Sequence, residues 1–191
     1  MKQIILASGS PRRKQLLSLL GLEFKTVASN ISEKLNPRFK PRRQTEFLSL
    51  QKARHVSEIY PDAVIIAADT LVAIGDDILG KPKDSLDAQR MLKRLSGNMH
   101  LNYTGFTVCH GKSKKEVTDS VQTKVTFKKL SQKEITEYIK RAKPFDKAGA
   151  YALQDLGCVF IERIDGDYHA ALGLPLFALC RQLRKFGITV L

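Results

Sequence analysis

The chain has 191 residues, 43% hydrophobic and 27% charged, enough for one domain, or one domain with two lobes, around a full core. No run approaches the roughly 18 apolar residues of a membrane span, and the strand-like "IILA" after Met1-Lys2 is too short for a secretory leader, so cytoplasmic residence is expected. A net charge of +13 suits a polyanionic partner: nucleic acid, an anionic surface or a phosphorylated small molecule.

Residues 3–7 read as a strand, 11–20 as a helix and 23–28 as a second strand. A helix fits 44–60, with Phe47, Leu48, Leu50, Ala53 and Val56 on its apolar face. "AVIIAA" at 63–68 is a continuous apolar run, the mark of a strand covered on both faces. Gly75-Asp76-Asp77 reads as a hairpin turn. A helix follows at 85–95, capped by Asp84 or Ser85, and two strands at 101–109 and 116–127 flank the turn "HGKSKKE". "SQKE" at 131–134 matches a capping box opening a helix to about 141. A strand at 158–163, a short strand bracketed by Gly166 and Gly173, and a helix at 174–186 opened by Pro175 complete the chain. Interleaved helices and strands with a central hairpin predict an α/β domain on a mixed sheet. Cys109, Cys158 and Cys180 are widely spaced in apolar surroundings and are expected as buried free thiols. His55, His100, His110 and His169 have no metal-ligand spacing.

Four stretches carry residue types suited to chemistry. In "SGSPRR", Ser10 suits an N-cap and Pro11 a first helical turn, while Ser8 and Gly9 can offer N–H groups to an anion. Arg12 and Arg13 bring phosphate-matched guanidinium groups into a turn where the helix dipole disfavours cations, which asks for an anion; the alternative is an ordinary capped helix. Asp69 stands where the apolar run stops and is expected at a strand end, able to bind a divalent ion or take a proton from water, or else to cap a turn. Lys81 sits in the stiffened loop Gly80-Lys81-Pro82. "KPFDKAGAYALQ" gathers Asp146, Lys147, Tyr151 and Gln154 about a Gly-Ala hinge, and the Gln154 amide can read a base edge. Glu33 and Lys52 read by default as solvated charges. "RFKPRRQ" is a Pro-bounded basic loop without an accompanying nucleic-acid signature, so sequence-specific nucleic-acid binding is not expected. No GxxxxGK[ST] run is present, which excludes a P-loop enzyme.

"ASGSPRR", "AADT", "LGKP", "RLSG", "DKAGAY" and "YHAALGLPL", in this order along nearly the whole chain, resemble the Maf family of nucleoside triphosphate pyrophosphatases. The resemblance implies an elongated mixed β-sheet flanked by helices, with two lobes and a cleft, similar to inosine triphosphatases. It implies hydrolysis of a nucleotide between its α- and β-phosphates with a divalent metal, Mg²⁺ or Mn²⁺. Asp69 would accept the proton; Arg12, Thr70 and Gln154 would fall at positions of substrate choice. Ser8, Arg13, Glu33, Lys52, Lys81, Asp146 and Lys147 would line the phosphate and metal region, with Asp69 and Glu33 toward the metal. Arg12, Thr70 and Gln154 match the branch preferring dTTP and UTP over the branch preferring 7-methyl-GTP. Ala152 stands where the family more often has glycine, which bears on the fine ranking of substrates. A homodimer is suggested by the resemblance alone. A non-catalytic nucleic-acid-binding or division-regulating protein using the basic surface is the alternative from another class.

Overall fold

A computed structural model describes residues 2–75 and 77–191; Asp76, the middle of the expected Gly75–Asp77 turn, lies outside the described residues, as does Met1. The elements run β1 (Ile4–Leu6), α1 (Pro11–Ser18), β2 (Lys25–Thr26), α2 (Pro41–Ile59), β3 (Val64–Ile74), β4 (Asp77–Leu79), α3 (Ser85–Leu95), β5 (Met99–His110), β6 (Lys115–Phe127) and α4 (Gln132–Ala142). Two 3₁₀ segments, Ala148–Ala150 and Leu156–Phe160, lead to β7 (Ile161–Asp165), α5 (Tyr168–Leu172) and α6 (Leu176–Arg184).

One sheet holds every strand in the order β2-β1-β3-β5-β6-β7, with β4 also paired to β3. The β2-β1-β3 portion is parallel and the remainder antiparallel, so the mixed α/β architecture expected from the sequence is the one observed. Alternation along the central strands sorts side chains onto two faces. Leu6, Ile66, Ala68, Phe106 and Val125 join the larger core with residues of α1, α3, α4 and α6. Ile5, Ala7, Ile65, Ala67 and Cys109 face α2 through Ala53 and Val56.

Helix α2 lies so close to the sheet that a Cβ on Gly105 would overlap the backbone of Thr45. Its buried stripe is Gln44, Thr45, Leu48, Ser49, Lys52, Ala53 and Val56, more polar than the expected apolar face; Phe47 and Leu50 are only half-buried. Ser49 Oγ lies 3.0 Å from Thr107 Oγ1 on β5, and Gln44 Oε1 accepts from the Asn36 N–H while its Nε2 is buried without a partner. Residues 41–44 of the expected basic loop form the first turn of this helix, opened by Pro41.

Helix α4 starts on the expected capping box: the Ser131 hydroxyl accepts from the Glu134 N–H, and the Glu134 carboxylate accepts from the Ser131 N–H. Helix α3 occupies its expected span with Asp84 as the N-cap. Other expectations fail locally. The strand expected at 158–163 begins only at Ile161, because the Asp155 side chain caps a 3₁₀ turn at the Gly157 N–H. Gly166 and Gly173 bracket helix α5, not a strand, since Asp167 caps its first turn through the Ala170 N–H. Cys109 is buried as expected, whereas Cys158 is exposed on the 3₁₀ turn and Cys180 is half-buried.

Candidate active site

Strand β3 pairs with β5 from Val64↔His110 to Ala73↔Leu101. On its other edge it pairs with β1 only through Leu6↔Ile66 and with β4 only from Val72↔Leu79. Residues 67–71 therefore have no ladder partner on that edge, and a cavity of about 460 Å³ opens there. Its volume is that of a small-molecule site. Asp69 lies within this stretch, mid-strand and not at the strand end expected from its sequence position. The strand continues past the apolar run because β5 supplies a partner for each residue beyond Ala68 as far as Ala73.

Asp69 and Thr70 are successive strand residues, so their side chains leave opposite faces of the sheet. Asp69 faces α2, where Lys52 Nζ lies 2.6 Å from its Oδ1 and 2.6 Å from Glu33 Oε1. Lys52 is 5% exposed, so the expectation of a solvated charge fails: the lysine is a buried bridge between two carboxylates. Partial burial pushes the Glu33 carboxyl up, but the hydrogen bond and charge of Lys52, with Lys81 and Arg13 beyond, hold it below its ordinary value.

Thr70 faces the larger core, where Arg13 reaches it. Arg13 Nη2 donates to Thr70 Oγ1 at 3.2 Å and its Nε to the Gly173 carbonyl at 2.9 Å. Burial pushes the Arg13 guanidinium down from its ordinary value while Asp69 and Glu33 raise it, and an arginine so held keeps its charge. Gly173 ends α5 at φ +116°, a backbone conformation that side-chain-bearing residues rarely adopt. Thr70 Oγ1 also lies 2.9 Å from Thr104 Oγ1, which donates to the Ala170 carbonyl at 2.7 Å. Site side chains thus tie to the short helix's C-terminal end, where the Ala170 carbonyl also accepts from the Gly173 N–H at 2.9 Å.

Ser8 is buried at the end of β1, and its Oγ accepts from the Ser10 N–H at 3.1 Å. Ser10 caps α1 as expected. Arg12 is half-buried and Lys81 exposed; both line the cavity without an ion-pair partner among the described residues. Asp146 lines it too, but Lys147 and Gln154 do not. The Lys147 ammonium turns to Asp146 at 2.7 Å, and Gln154 is exposed. Ala152, Ala171 and Leu172, from stretches the sequence singles out, join Val72, Leu153 and Asn102, which it does not announce, in a more apolar part of the lining. Asn102 is 3% exposed, and its amide meets the Tyr151 hydroxyl at 3.3 Å.

Arg12, Arg13, Lys52 and Lys81 against Glu33, Asp69 and Asp146 leave the lining with a small positive excess. A triphosphate brings about four negative charges and would overrun it without a cation of its own. Among the described residues no three His, Cys, Asp or Glu side chains come together as a ligand set. Two carboxylates beside bound phosphates are what Mg²⁺ takes, so the residues present fit a cation that arrives with its nucleotide.

Fold and site together define a mixed-sheet protein with a cation-lined cleft around one buried carboxylate, built for a small polyanion. The chain belongs to the Maf-like protein family, whose model matches residues 3–186. It is 47% identical over 189 residues to a dTTP/UTP pyrophosphatase of Bacillus pumilus, covering 99% of each chain. It is 43% identical to proteins of that name from Bacillus cytotoxicus, over 97% of this chain and 96% of that one, and from a Geobacillus, over 98% and 100%. No helix among the described residues is long and apolar enough to cross a membrane.

Proposed function

We propose that this protein hydrolyses dTTP and UTP to the nucleoside monophosphate and pyrophosphate. The observation that carries the proposal is the buried Asp69–Lys52 pair, joined by Glu33 and opening on a cation-lined cavity, in a chain so similar to dTTP/UTP pyrophosphatases. Asp69 takes the proton of the attacking water. The water oxygen bonds to the α-phosphorus, the bond from that phosphorus to the bridging oxygen breaks, and the electron pair leaves with pyrophosphate. Lys52, donating to Asp69 Oδ1 at 2.6 Å, holds the Asp69 carboxylate in place. Arg13 and Lys81, with Ser8 at the loop and Lys147 at the rim, neutralise charge on the departing group. Arg12, Thr70 and Gln154 bear on base choice, Gln154 from outside the cavity lining as the chain stands.

Asp69 and Glu33 would hold a divalent cation, Mg²⁺ or Mn²⁺, together with substrate phosphates; when bound it neutralises phosphate charge. The chain is taken as one domain whose cavity is the cleft between two lobes. A homodimer is part of the same proposal, checked by mass in solution.

Purified protein is incubated with Mg²⁺ or Mn²⁺ and dTTP, UTP, CTP, GTP or 7-methyl-GTP, and the products are separated by chromatography. Monophosphate plus pyrophosphate from dTTP and UTP, lost in Asp69→Asn, is the expected result. Diphosphate plus phosphate would place the cleavage at another bond. No turnover by folded protein, with salt-sensitive binding to DNA, would favour the basic surface as the functional one.

A further inference from the structure

The polar groups under α5 form a chain whose hydrogen-bond direction is fixed from end to end. The Ala170 carbonyl can only accept, so Thr104, at 2.7 Å, spends its single hydroxyl proton there. Thr104 is fully buried, and no water competes for that proton. Toward Thr70, 2.9 Å away, Thr104 is then an acceptor, and Thr70 donates its own proton to it. Arg13 occupies one lone pair of Thr70 from 3.2 Å. What Thr70 keeps for a ligand is one lone pair and no proton.

Its place in the cavity gives that polarity a use. Thr70 shares its strand face with Val72, and Val72, Ala152 and Leu153 belong to the more apolar part of the lining. It therefore stands between the charged groups and the surface suited to a flat ring. The rings of dTTP and UTP differ in a methyl group but share an N–H at ring position 3. Cytosine has a bare lone pair at that position.

We propose that Thr104 is a positioning residue that makes Thr70 an obligate acceptor, and that Thr70 thereby selects pyrimidines bearing an N–H at position 3 over cytosine. The inference deepens the dTTP/UTP proposal and rests on it. Thr104→Val keeps the shape but gives the Thr70 proton nowhere to go inside the protein, so Thr70 can turn it toward a ligand. Thr104→Ser restores the acceptor.

The test measures kcat and KM for UTP and CTP with wild type and both variants. Binding of the non-hydrolysable α,β-methylene analogues of both nucleotides is followed by calorimetry, and melting confirms folding. Wild type is expected to prefer UTP, Thr104→Val to lose that preference by about tenfold or more, and Thr104→Ser to keep it. Equal losses for both nucleotides in Thr104→Val, with the ratio unchanged, would make Thr104 merely structural and overturn the inference. A wild type that hydrolyses UTP and CTP alike would overturn it while leaving the pyrophosphatase proposal standing; no hydrolysis of any nucleotide would overturn both. Should Thr104→Val not fold, N3-methyl-UTP with the wild-type protein decides: retention of full affinity would refute a contact at that N–H.

Discussion

Lys52 is 5% exposed and lies 2.6 Å from each of two carboxylates, the pairing that burial of such a side chain demands. Lys52→Met leaves the Asp69 carboxyl without its partner on a buried strand, and is expected to cost about 3 kcal/mol or more in urea unfolding. Asp69→Asn keeps a partner for Lys52 in Glu33, so its fold should persist while kcat falls by about 10²–10⁴. The two substitutions thus separate stability from chemistry at one contact. His100 answers to pH differently. Burial pushes it down to about 4, its Nδ1 has no partner, and Nε2 meets the Tyr151 hydroxyl at 2.7 Å. Since the unfolded chain takes up this proton first, the stability His100 allows is full above about 6.5 and is lost as pH falls from there toward 4. Urea midpoints across that window should decline, and the decline should flatten in His100→Phe.

At the scale of elements, α2 carries Lys52 to Asp69 and the sheet sets the helix's height. Gly105→Ala forces the helix backbone off β5, so it should destabilise the fold by about 1–3 kcal/mol and reduce kcat by moving Lys52 away from Asp69. Loss of activity with unchanged Tm, or the reverse, would contradict that coupling. Helix α4 is independent of the site: Ser131→Ala should cost about 1 kcal/mol, read by thermal melting, with nucleotide hydrolysis unchanged. Its Glu134, held at about 2 chiefly by the hydrogen bond from Lys128, contributes stability that fades only as pH falls below about 4.5 toward 2. Helix α4 was legible because a capping box is a local pattern of four residues. Helix α5 was not, because its five residues are anchored by Thr104, Asn102 and Thr123, which come from strands distant in sequence.

For the whole molecule, the order of elements and the mixed sheet could be read from periodicity and turn residues, and the motifs named most of the cavity lining. What could not be read depends on pairing between distant segments. Asp69 seemed to end a strand because its own side chain is polar, whereas the strand's length is decided by β5. Lys52 seemed solvated because nothing in "LQKAR" reveals the two carboxylates that enclose it. Lys147 and Gln154 share a stretch with Asp146, yet of the three only Asp146 lines the cavity. The net charge of +13 exceeds what the cleft uses, and self-repulsion of this size should weaken the fold at low ionic strength. Added sodium chloride is accordingly expected to raise Tm without nucleotide present, as screening shortens the range of that repulsion.

The proposed proton transfer and base choice fall on adjacent residues of one strand, which makes β3 intolerant of any change in length. A single residue gained or lost between Val64 and Asp69, with Val64 still opposite His110, would slip Asp69 and Thr70 by one position against β5 and turn the carboxylate toward Arg13 and the threonine toward Lys52. Diversification of such a cleft is therefore confined to substitution along the strand and to insertions in the loops around it. Two neighbouring letters, Asp-Thr, act as a hinge of meaning: read in one frame they give an enzyme, and shifted by one they give a well-folded sheet with its chemistry on the wrong side.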